Sequence, residues 1–250
     1  MDDPGRIEQY RDEIIPEAPL YDARFEHDAC GVGFVAESRN GPSERVLALA
    51  LEALGAMAHR GATAADARTS DGSGLAMPLS SGVLRRITAR IAGAETLDGR
   101  LAVGTVFLPT MAAARGAAMA LVEAALRAER LAVLGWRTVP TERGVLGDQA
   151  AASLPVISQV VAARPAAMSP DELERRLFFA RRSIERLTAT RPGLETVHLP
   201  SLSSRSIVYK ALVRGADLGR FYPDLVAGGV AVDQATFHQR FSTNTRPTWR

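Results

Sequence analysis

Residues 232–243, VDQATFHQRFST, alternate with period two. Ala235, Phe237, Gln239 and Phe241 fall on one face of an extended strand, and Thr236, His238, Arg240 and Ser242 on the other. The first face is mainly apolar and needs covering. The second carries a histidine and an arginine together, which a strand with only structural duties rarely does, so that face is expected to look into a cleft. The chain must therefore build a sheet whose two sides meet different surroundings.

Strands and helices interleave through the rest of the chain. CGVGFVA reads as a short strand, and SERVLALALEALGAMAHRG as a helix with Leu47, Leu51, Leu54 and Ala58 on one face, stopped by Gly61. ARTSDGSGLAM is a turn that feeds a strand, and LAVGTVFLP is a strand ending at Pro109. Thr110 is placed to cap an alanine-rich helix running to about Arg130, with Met119, Val122 and Leu126 on one face, and LAVLGWRTVP returns as a strand. The clearest helix starts at SPDE, where Ser169 is the N-cap, Pro170 suits the first turn and Glu172 completes a capping box. Leu173, Leu177, Ala180, Ile184 and Leu187 follow at helical spacing. ETVHLPSLS and SIVYKALV read as strands and DLGRFYPDL as a short helical turn. Without an internal repeat or a linker, the pattern favours one α+β domain. Residues 1–29 form a polar leader with Pro4, Pro16 and Pro19 that adds little to a core.

Composition removes several functions. Thirty basic residues against 28 acidic ones, spread without a basic block, make nucleic acid an improbable partner. All the cations but Lys210 are arginine, as coding bias would give. Four scattered histidines and one cysteine offer neither metal-ligand spacing nor an internal disulfide. The acidic start is no signal peptide, and no stretch reaches membrane-spanning length, so a cytoplasmic protein is expected.

Cys30, the one cysteine, sits where polar residues give way to a Gly/Val/Phe strand. Cleavage after Ala29 would give it a free α-amine, whose ordinary pKa of about 7.7–8.0 suits a general base. Such a cysteine needs no histidine partner, and Gly31 allows close approach of a substrate. The competing reading is a small buried hydrophobe. Arg240 could grip a carboxylate with its planar fork or serve in a salt bridge. His59 and Arg60 could simply complement a helix end, and Asp71, Gly72, Ser73 and Gly74 a turn.

LYDARFEHDACGVGFVA, MAHRGATAADARTSDGSGL, GWRTVPTERGVLGDQA, ERRLFFARRSIE, SIVYKAL, GRFYPDL and FHQRFSTNTRPTW resemble, in order, the amino-terminal part of the large chain of bacterial glutamate synthases. The resemblance spans almost the whole chain. It implies a class II glutamine amidotransferase domain with the four-layer αββα sandwich of N-terminal-nucleophile hydrolases. Residues 1–29 would be a propeptide and residues 30–250 a partial amidotransferase domain, incomplete at its C-terminus. Cys30 would attack the side-chain amide of L-glutamine through a thioester and release ammonia. By the same resemblance Arg240 would clamp the α-carboxylate, with Thr243 beside it, His238 shaping the strand, Arg60 near the nucleophile and Phe241 packed in the core.

No cofactor is expected in this segment. FMN and an iron–sulfur cluster belong to the full-length enzymes of the family, and so does the conversion of 2-oxoglutarate. Expected partners are the remainder of the synthase chain and a small electron-donating subunit, with NADPH as the favoured donor. The resemblance places an Asn-Gly oxyanion segment beyond Arg250, which leaves an inactive fragment or a glutamine-binding remnant as the alternative. The strand at 232–243 would then be a raw edge, and instability or aggregation would follow.

Overall fold

The computed structural model describes residues 30–66, 68–97, 99–242 and 247–249. The leader and Thr243 lie outside the described residues. Eight strands form two four-stranded antiparallel sheets. The first, in the order β1-β8-β2-β7, joins β1 (Gly31–Ala36), β8 (Gln234–Gln239), β2 (Ser73–Pro78) and β7 (Ser206–Ala211). The second, in the order β4-β5-β3-β6, joins β4 (Ala132–Thr138), β5 (Val156–Ala163), β3 (Leu101–Leu108) and β6 (His198–Ser203).

Helix α1 (Glu44–Ala56) packs on β1 and β8, while α3 (Ala112–Ala128) and α5 (Pro170–Ala189) pack on each other and on the second sheet. Short helices α2 (Ser81–Thr88), α4 (Asp148–Ala152) and α6 (Leu218–Phe221) fill the connections. Helix, sheet, sheet and helix pair give the expected αββα order.

Period-two alternation divides the second sheet's side chains between two cores. Leu101, Val103 and Phe107 of β3, with Ile157, Val161 and Ala163 of β5, join a cluster that includes α1, Leu75, Ile207 and Phe237. Ala102, Val106 and Leu108, with Val160 and Ala162, face Leu121, Val122 and Leu126 of α3 and Leu173, Leu177 and Ile184 of α5.

The α5 N-terminus is as the sequence dictates on one side only. Ser169 Oγ accepts the Glu172 N–H at 3.2 Å, but the Glu172 carboxylate turns to Arg176 instead of closing the box. Helix α3 starts one residue later than expected. Met111 is its N-cap, and the Thr110 carbonyl accepts from the Arg115 guanidinium. Helix α1 ends at Ala56 and tightens into a 3₁₀ turn, Met57–Arg60, which leaves Ala58 exposed.

Strand β8 corrects a further expectation. It is no edge, because β1 pairs along one side (Gly31 opposite Gln239) and β2 along the other (Ser73 opposite Gln239). The edges of this sheet are β1 and β7. On β1, Val32 and Phe34 are exposed, while Gly33 lies under the Phe237 ring, where a Cβ would come within 2.6 Å of ring carbons.

Candidate active site

The alternation expected of β8 is present: Ala235, Phe237 and Gln239 are buried, Thr236 is exposed and His238 is half-buried. Immediately past the strand, Arg240 donates its backbone N–H to the Gly72 carbonyl at 2.9 Å. This bond ties the strand's end to the Ser70–Gly72 turn, in which Gly72 takes φ +114°.

Cys30 stands at the head of β1 with an exposed side chain, so it is not the small buried hydrophobe. Its Sγ lies 3.3 Å from the Phe241 backbone N and 3.6 Å from the Phe241 carbonyl oxygen. Phe241 is thus half-buried rather than core packing, and its main chain meets the thiol. Asp71, itself buried, accepts the next N–H of the same segment, that of Ser242.

Arg60 comes to the same place from the far end of α1. A Cβ at Gly31 would lie 3.2 Å from Arg60 Cβ and 2.9 Å from Met57 Sδ. Gly31 is therefore required by the close approach of the HRG turn, and the Arg60 stem packs beside the residue that follows Cys30. Cys30, Gly31, Arg60 and the segment after Arg240 are brought together. His59 is exposed in the same 3₁₀ turn.

Gln239, which the sequence placed only on an apolar face, organises this junction. Its side chain is 1% exposed. Oε1 accepts from the Gly215 N–H at 2.7 Å, and Nε2 donates to Ser70 Oγ at 3.3 Å and to the Gly72 carbonyl at 3.2 Å. Gly61 makes room for it, since a Cβ there would lie 2.2 Å from Gln239 Nε2. One amide thus joins the HRG turn, the SDG turn and β8.

On the polar face of β8, a cavity of about 380 Å³ is lined by Gly74, Val208, Lys210, His238, Arg240 and Trp249, among others. Burial lowers the His238 pKa below its ordinary 6.5, and the Arg240 charge adds to the effect. Burial, again helped by Arg240, brings Lys210 down to about 8. Trp249 is seated by edge contact with Phe107 at 5.8 Å and by an Nε1–H bond to the Ala150 carbonyl at 3.2 Å.

GWRTVP, SIVYKAL and GRFYPDL meet in one buried network. Arg137 forks onto both oxygens of Asp224 at 2.7 Å and also reaches Gln159 Oε1 at 2.9 Å. Tyr209 donates its hydroxyl to Asp224 at 3.4 Å. Burial raises the Tyr209 pKa above the usual phenol value, with the Asp224 charge second. These motifs brace β4, β5 and β7 against one another.

Among the described residues no group of three or more His, Cys, Asp or Glu could hold a metal. With one cysteine in 250 residues, this segment lacks the thiolates that an iron–sulfur cluster takes.

The family described as "Glutamine amidotransferases class-II" matches residues 30–250. The chain is 44% identical over 228 residues, 90% of its length, to the "Ferredoxin-dependent glutamate synthase 2" of Synechocystis sp.. It is 37% identical over 236 residues, 94% of its length, to the "Glutamate synthase [NADPH] large chain" of Azospirillum brasilense. It is 40% identical over 253 aligned residues, its whole length, to the chloroplastic "Ferredoxin-dependent glutamate synthase" of Oryza sativa subsp. japonica. The alignments cover only 14%, 15% and 15% of those relatives. With an αββα sandwich and a match over residues 30–250, the chain belongs to the class II glutamine amidotransferases, in the branch that forms the amidotransferase part of glutamate synthases.

Proposed function

We propose that this chain is the glutamine-hydrolysing half-site of a glutamate synthase, working with the remainder of the synthase. The observation that carries the reading is the exposed Cys30 thiol at the head of β1, held at 3.3 Å by the Phe241 N–H, one residue from Arg240.

Removal of residues 1–29 frees the Cys30 α-amine, which takes the thiol proton. The thiolate attacks the γ-carbonyl carbon of glutamine. The side-chain amide nitrogen of glutamine takes that proton back from the Cys30 ammonium and leaves as ammonia, and a γ-glutamyl thioester remains. Water, deprotonated by the same amine, attacks the thioester, and glutamate leaves as the thiol is restored. Arg240 pairs with the substrate α-carboxylate, with Thr243 beside it. Gly31 and Arg60 shape the approach to sulfur, and His238 lines the neighbouring wall. Ammonia would pass to the synthase region, where FMN and an iron–sulfur cluster of that region would supply the two electrons by which ammonia and 2-oxoglutarate become glutamate with loss of water. The relatives' names carry both ferredoxin and NADPH, so the NADPH donor has no preference here, and an electron-donating subunit belongs to the same proposal. A cytoplasmic site of action is proposed as well; no helix of the described residues is long and apolar enough to cross a membrane.

Intact-mass analysis with 6-diazo-5-oxo-norleucine, a glutamine-mimicking electrophile, tests the reading. Loss of residues 1–29 and a single adduct on Cys30 are expected. An uncleaved, unlabelled chain would replace the active half-site with a fragment that does not turn over glutamine.

A further inference from the structure

The face of the first sheet that carries His238 also carries Lys210. In the strand registers Val32 stands opposite His238, His238 opposite Gly74, and Gly74 opposite Lys210, a row that crosses all four strands. The middle of the row is a notch: Gly74 has no side chain, and a Cβ there would lie 3.3 Å from Lys210 Cβ. Arg240 follows His238 by two residues, and the three side chains line the same cavity of about 380 Å³.

Lys210 Nζ lies 3.1 Å from His198 Nε2 on β6 of the other sheet. An ammonium can only donate, so His198 accepts through Nε2 and keeps its own proton on Nδ1. The contact steers the amine. Lys210 is also the single lysine of the chain, against 29 arginines.

We propose that Lys210 and Arg240 together form a two-cation subsite that receives the α-carboxylate of glutamine and glutamate. The inference rests on the glutamine reading and adds to it a second recognition group. Converging cations repel one another, and a bound carboxylate turns that repulsion into attraction. Asp71 lies in the same cavity wall, where its Oδ2 accepts the Ser242 N–H and its charge offsets part of that of Lys210 and Arg240.

The single lysine makes a direct test available. N-hydroxysuccinimidyl acetate at pH 8 modifies Lys210 in the full chain, and peptide mass spectrometry reads the rate at that residue alone. L-glutamate should slow Lys210 acetylation about fivefold or more, and Arg240→Met should abolish that protection. 4-Aminobutanamide, which lacks the α-carboxylate, should not protect. An unchanged rate under glutamate, or equal protection by 4-aminobutanamide, overturns the subsite.

Alkylation of Cys30 by 6-diazo-5-oxo-norleucine separates the two readings. A labelled Cys30 with unprotected Lys210 leaves the half-site and removes the subsite; protection without labelling does the reverse. In Lys210→Met the reagent concentration for half-maximal alkylation should rise about tenfold, with the limiting rate within about twofold. A fall in limiting rate without that rise also overturns it.

Discussion

The Phe241 backbone N–H points at the Cys30 sulfur from 3.3 Å, across 211 residues of chain. The proposed nucleophile and the proposed carboxylate clamp therefore meet at one segment, since Arg240 precedes Phe241. Cys30→Ser should take no 6-diazo-5-oxo-norleucine adduct and lower ammonia release by roughly 10³-fold or more, with an unchanged far-ultraviolet circular dichroism spectrum. Arg240→Lys keeps the charge and loses the fork, so half-maximal labelling should need about tenfold more reagent. A Cys30→Ser chain that still releases ammonia would remove Cys30 from the mechanism.

Gln239 is buried, with 1% of its surface exposed. Replacing it with leucine strands the Gly215 N–H, at roughly 1–3 kcal/mol for an unsatisfied group, while the Gly72 carbonyl keeps the Arg240 N–H. Urea unfolding of Gln239→Leu should show a loss of about 1–3 kcal/mol. Gly61→Ala pushes a methyl into the same amide and should show a loss of comparable sign. Full stability in both variants would mean that the amide is not the joint described.

The Arg137–Asp224 pair is buried and bidentate, with side-chain exposures of 18% and 7%. Breaking it by Arg137→Met leaves a carboxylate uncompensated and should cost about 3–5 kcal/mol in urea unfolding. Exchanging both residues for apolar ones of similar volume should cost far less. Equal losses in the single and double variants would contradict this.

Lys210 gives the folded chain a pH signature. Its folded pKa, about 8, lies below the ordinary 10.5, so between these values the unfolded chain binds more protons than the folded one. Stability contributed through Lys210 therefore rises with pH across that window, and burial of the ammonium costs most below pH 8. Compared with Lys210→Met, the wild type should gain in urea midpoint between pH 7 and pH 10. A difference that does not change with pH would rule out the shift. His238, also lowered, acts at the acid end: protonation of the unfolded chain costs stability as pH falls below 6.5.

Amphipathic elements were the legible part of this chain. The helix begun by Ser169 buries Leu173, Leu177, Ala180 and Ile184 as its spacing requires, and β8 separates its faces as its alternation requires. Strand β5 was not read at all. From Ile157 to Ala163 every residue is buried, and a short apolar run covered on both faces has no period to distinguish strand from helix. The capping of α3 was misplaced because Thr110 and Met111 compete for one position that side-chain chemistry alone did not decide. In the site, Cys30 and Arg240 stood out by residue type, whereas Gln239 and Lys210 owe their roles to partners distant in sequence: Ser70, Gly72, Gly215 and His198.

Gly33 beneath the Phe237 ring works as a registration pin. If β1 slid by one residue against β8, Val32 or Phe34 would have to occupy the space that the ring takes, and the sulfur would move by about 3.3 Å along the strand. Neither bulky side chain fits there, so the strand has one seating. The seating of the strand's third residue fixes where the strand begins, and with it where the Cys30 sulfur stands: the accuracy with which that sulfur is placed is a property of a glycine with no chemistry of its own.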